Sequence, residues 1–193
     1  MLEALFFGRR VMFQILAEKV ISGLAAFSML LLSSYQGNEA SFSNYTTSFL
    51  DNRMFLECKL ENAFDNDFEE IFKSGQIIDV YFSVKIELKN LIIHEEEFKH
   101  SIIFDPLTQV FNIELEDQDL TYSTNSYEEL KIIISNIEYS FKDENIHDYI
   151  LTLNAYLPKI RLEALNKDFD LMMLWKYREP KFTMKLEKGD NEN

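Results

Sequence analysis

From Ile78 to Leu88 the chain alternates without a break. Ile78, Val80, Phe82, Val84, Ile86 and Leu88 are apolar, and the residues between them are polar apart from Tyr81. A helix would scatter such a set around its circumference, whereas a strand sends successive side chains to opposite faces. The segment predicts a strand with one face buried and one wet, the kind that belongs to an antiparallel sheet.

The same period recurs. Leu56, Cys58 and Leu60 alternate with Glu57, Lys59 and Glu61, predicting a strand near the start of the domain. Phe98, His100, Ile102 and Phe104 predict a partner strand that stops at Asp105-Pro106, because proline cannot donate to a ladder. Val110 to Glu116 returns with Phe111, Ile113 and Leu115 inward, and Tyr149 to Leu157 alternates until Pro158. Ile160 to Leu165 is open between a strand and one helical turn. Phe169, Leu171, Met173, Trp175 and Tyr177 predict a further strand, and Phe182, Met184 and Leu186 a last one after Glu179-Pro180.

Two segments have helical spacing. Between Asp65 and Gly75, acids lead, Phe68, Ile71 and Phe72 share a side, and glycine closes. Ser126-Tyr127-Glu128-Glu129 is a capping-box pattern, opening a helix that carries Leu130, Ile133, Ile134 and Ile137. About seven antiparallel strands with one short and one longer helix predict an α+β domain, mostly β, as a sheet curled over the longer helix or a sandwich.

Ahead of this domain, Arg9 and Arg10 are followed by the 13-residue run Val20–Leu32 and then Ser33-Ser34. Basic, apolar and small polar segments in that order read as a secretory signal. The run is short of the roughly 20 residues a spanning helix needs, and Leu32-Ser33-Ser34 is a poor cleavage site. Residues 1–34 are therefore read as a cleaved signal or an uncleaved membrane anchor. A buried amphipathic helix in a cytosolic protein, or a start at Met12, stays open. In both membrane readings the arginines stay cytoplasmic and the domain is exported. Residues 35–53, rich in Ser, Asn and Thr, read as a polar tether, 54–188 as a single domain and 189–193 as a disordered tail.

A net charge of −14 with no basic stripe repels phosphate backbones, so nucleic acid is not an expected partner. The membrane is expected to be met only through the N-terminal segment. Cys58 is the only cysteine, so no internal disulfide can form. Its alternating neighbours place it as a small buried hydrophobe, without the basic surroundings a thiolate nucleophile needs.

Candidate chemistry is sparse. Asp65-x-Asp67-x-Glu69 begins like a calcium loop but has Glu70 and Gln76 where glycine and a bidentate glutamate are required. The acids suit a helix N-terminus instead. His94, Glu95 and His100 form the one histidine–carboxylate cluster and are the weak metal candidates. On a strand the two histidines point the same way but lie about 20 Å apart, too far to share an ion without a loop. His147-Asp148 reads as a surface pair. No G-x-S-x-G, S-x-x-K or Cys/His signature occurs, and the glycines are isolated from one another. No catalytic residue and no cofactor are expected. Trp175 and Tyr177, with Phe182 and Met184, are the weak interaction candidates. Trp175, Tyr177, Tyr81, Tyr122 and Tyr139 are each open between core packing and an interface.

Three landmarks occur in one order: Phe104-Asp105-Pro106-Leu107-Thr108-Gln109-Val110-Phe111 between two strands, Leu157-Pro158 ending a long strand, and Trp175 late in the chain. This order, over roughly Leu56 to Tyr177, resembles the bacterial family called domain of unknown function 4390. Leu174 stands where that family tends to a small hydroxyl residue, and the strand Phe182–Leu186 is additional. The resemblance implies a small exported or membrane-tethered protein and brings no catalytic residues.

The expected function is a non-catalytic envelope module that binds a protein partner, as scaffold or sensor accessory, by strand addition. The edge would be Phe182–Leu186 or Leu56–Leu60. The alternatives are a carrier holding a hydrophobic ligand in a cavity under the sheet, and a metal protein or enzyme using His94, Glu95 and His100.

Overall fold

Two tight turns without glycine set the register of two sheets. Asp51-Asn52 joins β1 (Ser41–Leu50) to β2 (Arg53–Glu61), and Lys89-Asn90 joins β3 (Ile78–Leu88) to β4 (Leu91–Asp105). All four turn residues have positive φ, between 50° and 68°, as a two-residue hairpin loop of the favoured hand requires. Asn and Asp tolerate that region because their short side chains bond locally.

The computed structural model describes residues 37–65, 68–142, 149–162 and 166–186. The leader, Asp67, His147-Asp148 and the tail from Glu187 lie outside the described residues. After β2 come α1 (Phe68–Phe72), β3, β4, β5 (Val110–Leu115), β6 (Leu120–Thr124), α2 (Tyr127–Ser135), β7 (Asn136–Lys142) and β8 (Tyr149–Tyr156). Then follow β9 (Lys159–Leu162), β10 (Lys167–Asp170), a 3₁₀ helix Leu171–Trp175, and β11 (Lys181–Leu186).

The described strands form antiparallel sheets: one ordered β1-β2-β7, one ordered β11-β8-β3-β4-β5-β6, and a β9–β10 pair. The fold is α+β and mostly β, as the alternation predicts. The two larger sheets face each other. Met54, Leu56, Cys58 and Leu60 of β2 and Ile137 and Tyr139 of β7 are buried on one side of the core. The inward residues of β3, β4, β5 and β8 are buried on the other. The rings of Phe98 on β4 and Tyr139 on β7 stack across the gap with centroids 5.8 Å apart. Each such buried side chain contributes about 1.5–3 kcal/mol of transfer free energy.

The α2 cap follows the predicted pattern with a variation. The Ser126 side chain accepts from the Glu129 N–H, while the Thr124 hydroxyl accepts the Ser126 N–H and donates to Glu129. Leu130 and Ile134 are buried on the core side.

Four sequence expectations need correction. Residues 41–50 of the supposed tether form β1, whose Phe42 and Phe49 pack on the core. The helix does not reach Ile137: at Asn136 the backbone turns extended and begins β7. The strand expected through Trp175 ends at Asp170, whose carboxylate accepts the Met172 N–H and starts the 3₁₀ helix. And β2 is no edge; it lies between β1 and β7.

Candidate functional site

The histidine segment divides between two environments. His94 and His100 both lie on the inward face of β4, opposite Ile86 and Val80. Glu95, opposite Lys85, lies on the other face. The three metal candidates therefore do not converge, and among the described residues no group of three or more His, Cys, Asp or Glu is placed to hold an ion.

His94 stands at the mouth of the core. Its Nε2 is 2.8 Å from the Tyr139 hydroxyl and 3.1 Å from Glu96 Oε2, and its ring packs on Phe141. The Tyr139 hydroxyl donates to Glu96 at 2.8 Å. Burial first, then the hydrogen bond and charge of Glu96, push the phenol far above its ordinary range. Tyr139 thus keeps its proton and donates it in a hydrogen bond to Glu96, and the cluster satisfies itself.

His100 is fully buried. Its Nδ1 is 2.9 Å from the Ile134 carbonyl and its Nε2 is 2.9 Å from Asp117 Oδ1, whose side chain is also unexposed. A carbonyl only accepts, so Nδ1 carries a proton. Asp117 Oδ2 accepts the Glu138 N–H at 2.9 Å. The pair joins β4, the β5–β6 turn, the end of α2 and the start of β7, with every polar atom facing protein. This is a structural bond, since no substrate can reach it.

Cys58 is 5% exposed. Burial, then the charge of Asp117, push its thiol up to about 12, so it is no nucleophile at neutral pH.

The interaction candidates also separate. Trp175 is 1% exposed and donates Nε1–H to the Ala63 carbonyl at 2.8 Å. Asn38 donates to the same carbonyl. Trp175 is a core residue. Tyr177 is 68% exposed, at positive φ beyond the 3₁₀ helix. Phe182 and Met184 face inward on β11, half-buried, with the Phe182 ring 4.3 Å from that of Tyr45 on β1. The space that a ligand carrier would hollow out is occupied by Phe68, Phe72, Phe82, Phe111 and Trp175, all fully buried.

The edges of the two larger sheets differ in chemistry. β1 is interrupted by a bulge between Ser43 and Thr46, β7 carries Glu138 and Lys142, and β11 carries Lys181 and Lys185. Bulges and charges are devices that discourage further pairing. β6, Leu120-Thr121-Tyr122-Ser123-Thr124, has no charge, no proline and no bulge against β5. Four of its five residues are exposed. Leu120 and Tyr122 overhang the core, 44% and 39% exposed, as neighbours of the buried Leu115 and Ile113. Beside the strand lies an open depression of about 440 Å³ whose lining includes Ile77, Ile103, Thr121 and Tyr122 together with the charged Lys99 and Glu114.

Sequence reasoning placed neither β6 nor Asp117. A β-branched and aromatic run between Asp119, at φ 52°, and Asn125-Ser126 is the signal that marks β6. No family model, no curated protein and no solved structure matches the chain.

Proposed function

We propose that the chain is a non-catalytic protein-interaction module of the cell envelope, which takes up an extended segment of a partner protein as an additional strand beside β6. The observation that carries this reading is the undefended edge: among the described residues, β6 ends the six-stranded sheet with no strand on its outer side, no charge and two overhanging apolar side chains. Strand addition draws affinity from main-chain hydrogen bonds and specificity from alternate side chains. Here Leu120 and Tyr122 would receive residues of one parity, and the depression at Ile77 and Ile103 those of the other. The edge expected at Phe182–Leu186 is a true edge but a lysine-bearing one.

The placement outside the cytoplasmic membrane rests on the order of basic, apolar and small polar residues from Arg9 to Ser34, and the resemblance to exported proteins of the domain of unknown function 4390 family points the same way. Among the described residues no helix is long and apolar enough to cross a membrane. Attachment, if the leader is retained, falls to the N-terminal segment.

The test is paired. With a photo-crosslinker at position 122 of the full chain in its native cells, a protein partner is expected to be captured. That capture should be lost in Thr121→Pro and Ser123→Pro and kept in Thr183→Pro on β11. Capture indifferent to both β6 prolines overturns the reading.

A further inference from the structure

The chemistry of β6 also fits a second copy of itself. Resting on the strand-addition reading, we infer that β6, when no partner strand is present, pairs antiparallel with β6 of a second copy across a two-fold axis, and that this pairing competes with the partner for the same edge.

An antiparallel pair that keeps the inner faces of both sheets continuous must match residues of like parity, and an isologous pair must be symmetric. One register engages all five residues of β6. It sets Tyr122 against Tyr122 of the second copy, Thr121 against Ser123, and Leu120 against Thr124. The inner row then runs Ile113, Tyr122, Tyr122, Ile113, because Ile113 already neighbours Tyr122 on β5. The exposed overhang of Leu120 and Tyr122 is covered by its own image.

Strand overlap favours this register over its neighbour, which would leave Thr124 without a partner on the second β6. In a chain of net charge −14, most self-contacts bring carboxylates together. The nearest carboxylate on the outer face of β5 is Glu114, beside Thr121, and Asn112 stands beside Ser123. The Tyr122-centred pairing puts Glu114 in one row with Asn112 of the second copy. A slip that centres on Thr121 would align two Glu114 side chains in one row, but three strand spacings or about 14 Å apart, where salt screens them. The charged edges give no such solution: β11 would bring Lys181 and Lys185 toward a second lysine pair. Five residues a side make a small interface, so the dimer is weak and concentration-dependent.

Because position 122 faces itself, charge swapping tests the pairing. The full chain is sedimented over a dilution series as wild type, Tyr122→Lys, Tyr122→Glu and an equimolar mixture of the two variants. Like charges directly opposite oppose pairing, so each variant alone should dimerise on the order of tenfold more weakly than the wild type. The mixture should recover the dimer as a heterodimer, which also shows that both variants are folded. A wild type that stays monomeric throughout, variants that dimerise as well as wild type, or a mixture that recovers nothing would each overturn the inference. A monomeric chain that still loses its partner on β6 substitution removes the second copy and leaves strand addition standing. A β6-paired dimer whose partner capture ignores β6 does the reverse.

Discussion

His100 Nε2 and Asp117 Oδ1 stand 2.9 Å apart with neither side chain exposed to solvent. Around them, the Ile134 carbonyl and the Glu138 N–H complete a polar knot where β4, the β5–β6 turn, α2 and β7 meet. β6 begins three residues after Asp117, at the end of the four-residue turn 116–119, so the knot also positions the edge.

Removing one member of the knot strands the others. Asp117→Ala leaves a buried imidazole and the Glu138 N–H without an acceptor, which costs about 3–5 kcal/mol. Chemical unfolding should show that loss, and His100→Leu combined with Asp117→Leu should lose less than Asp117→Ala. A cost for Asp117→Ala below about 1 kcal/mol, the level of a surface pair, contradicts the role given to the knot.

Trp175 is the one tryptophan of the chain and is 1% exposed. Its native fluorescence should be blue-shifted and poorly quenched by acrylamide, with strong quenching only after unfolding. Ready quenching in the folded protein would return Trp175 to the surface and to the list of interaction residues.

Gly37 has φ +68°, and a Cβ there would lie 2.6 Å from the Lys176 backbone nitrogen and from Lys176 Cγ. Gly75, at φ +79°, has open space around it. Gly37→Ala should therefore cost more than Gly75→Ala, about 2–4 against about 1 kcal/mol, since only the first adds a clash to left-handed strain. Equal losses in thermal unfolding would mean that the N-terminal segment does not pack against Lys176.

The Cys58 thiol rises from its ordinary 9.0 to about 12 on folding. A group whose acid form is favoured by the fold contributes fully below its unfolded value, and the contribution is lost as pH climbs toward the folded one. Wild-type stability should fall between about pH 9 and pH 12 more steeply than that of Cys58→Ala. Parallel pH profiles would show that Cys58 is not buried as a thiol. Tyrosines raised by burial titrate in the same window in both proteins, so only the difference is diagnostic.

What could be read from the residues depended on burial contrast. β3 is legible because one face is dry and the other wet, and the alternation of Ile78 to Leu88 records that difference. β6 has little such contrast: it is five residues long, Leu120 and Tyr122 are exposed along with Thr121 and Ser123, and an alternation of two apolar residues is too short to mark a strand. β1 is mostly polar and exposed, with only Phe42 and Phe49 packed on the core, and its bulge between Ser43 and Thr46 breaks any alternation. The inward direction of His100 followed from its place between Phe98 and Ile102. Its partner did not, because Asp117 reaches it only through the β4–β5 register, which sets His100 opposite Leu115. Ile137 continued the helical spacing of Leu130, Ile133 and Ile134 by coincidence, and the extended backbone at Asn136 ended the helix first. Trp175 was read by a period of two across a segment that is strand for four residues and 3₁₀ helix for five.

Amide hydrogen exchange across β6 tests the central claim most directly. In a complex with a protein captured at position 122, the amides of residues 120–124 that face away from β5 should become strongly protected, while those of β11 exchange as in the free protein. If the partner is bound and β6 exchanges at its free rate, strand addition at this edge is contradicted.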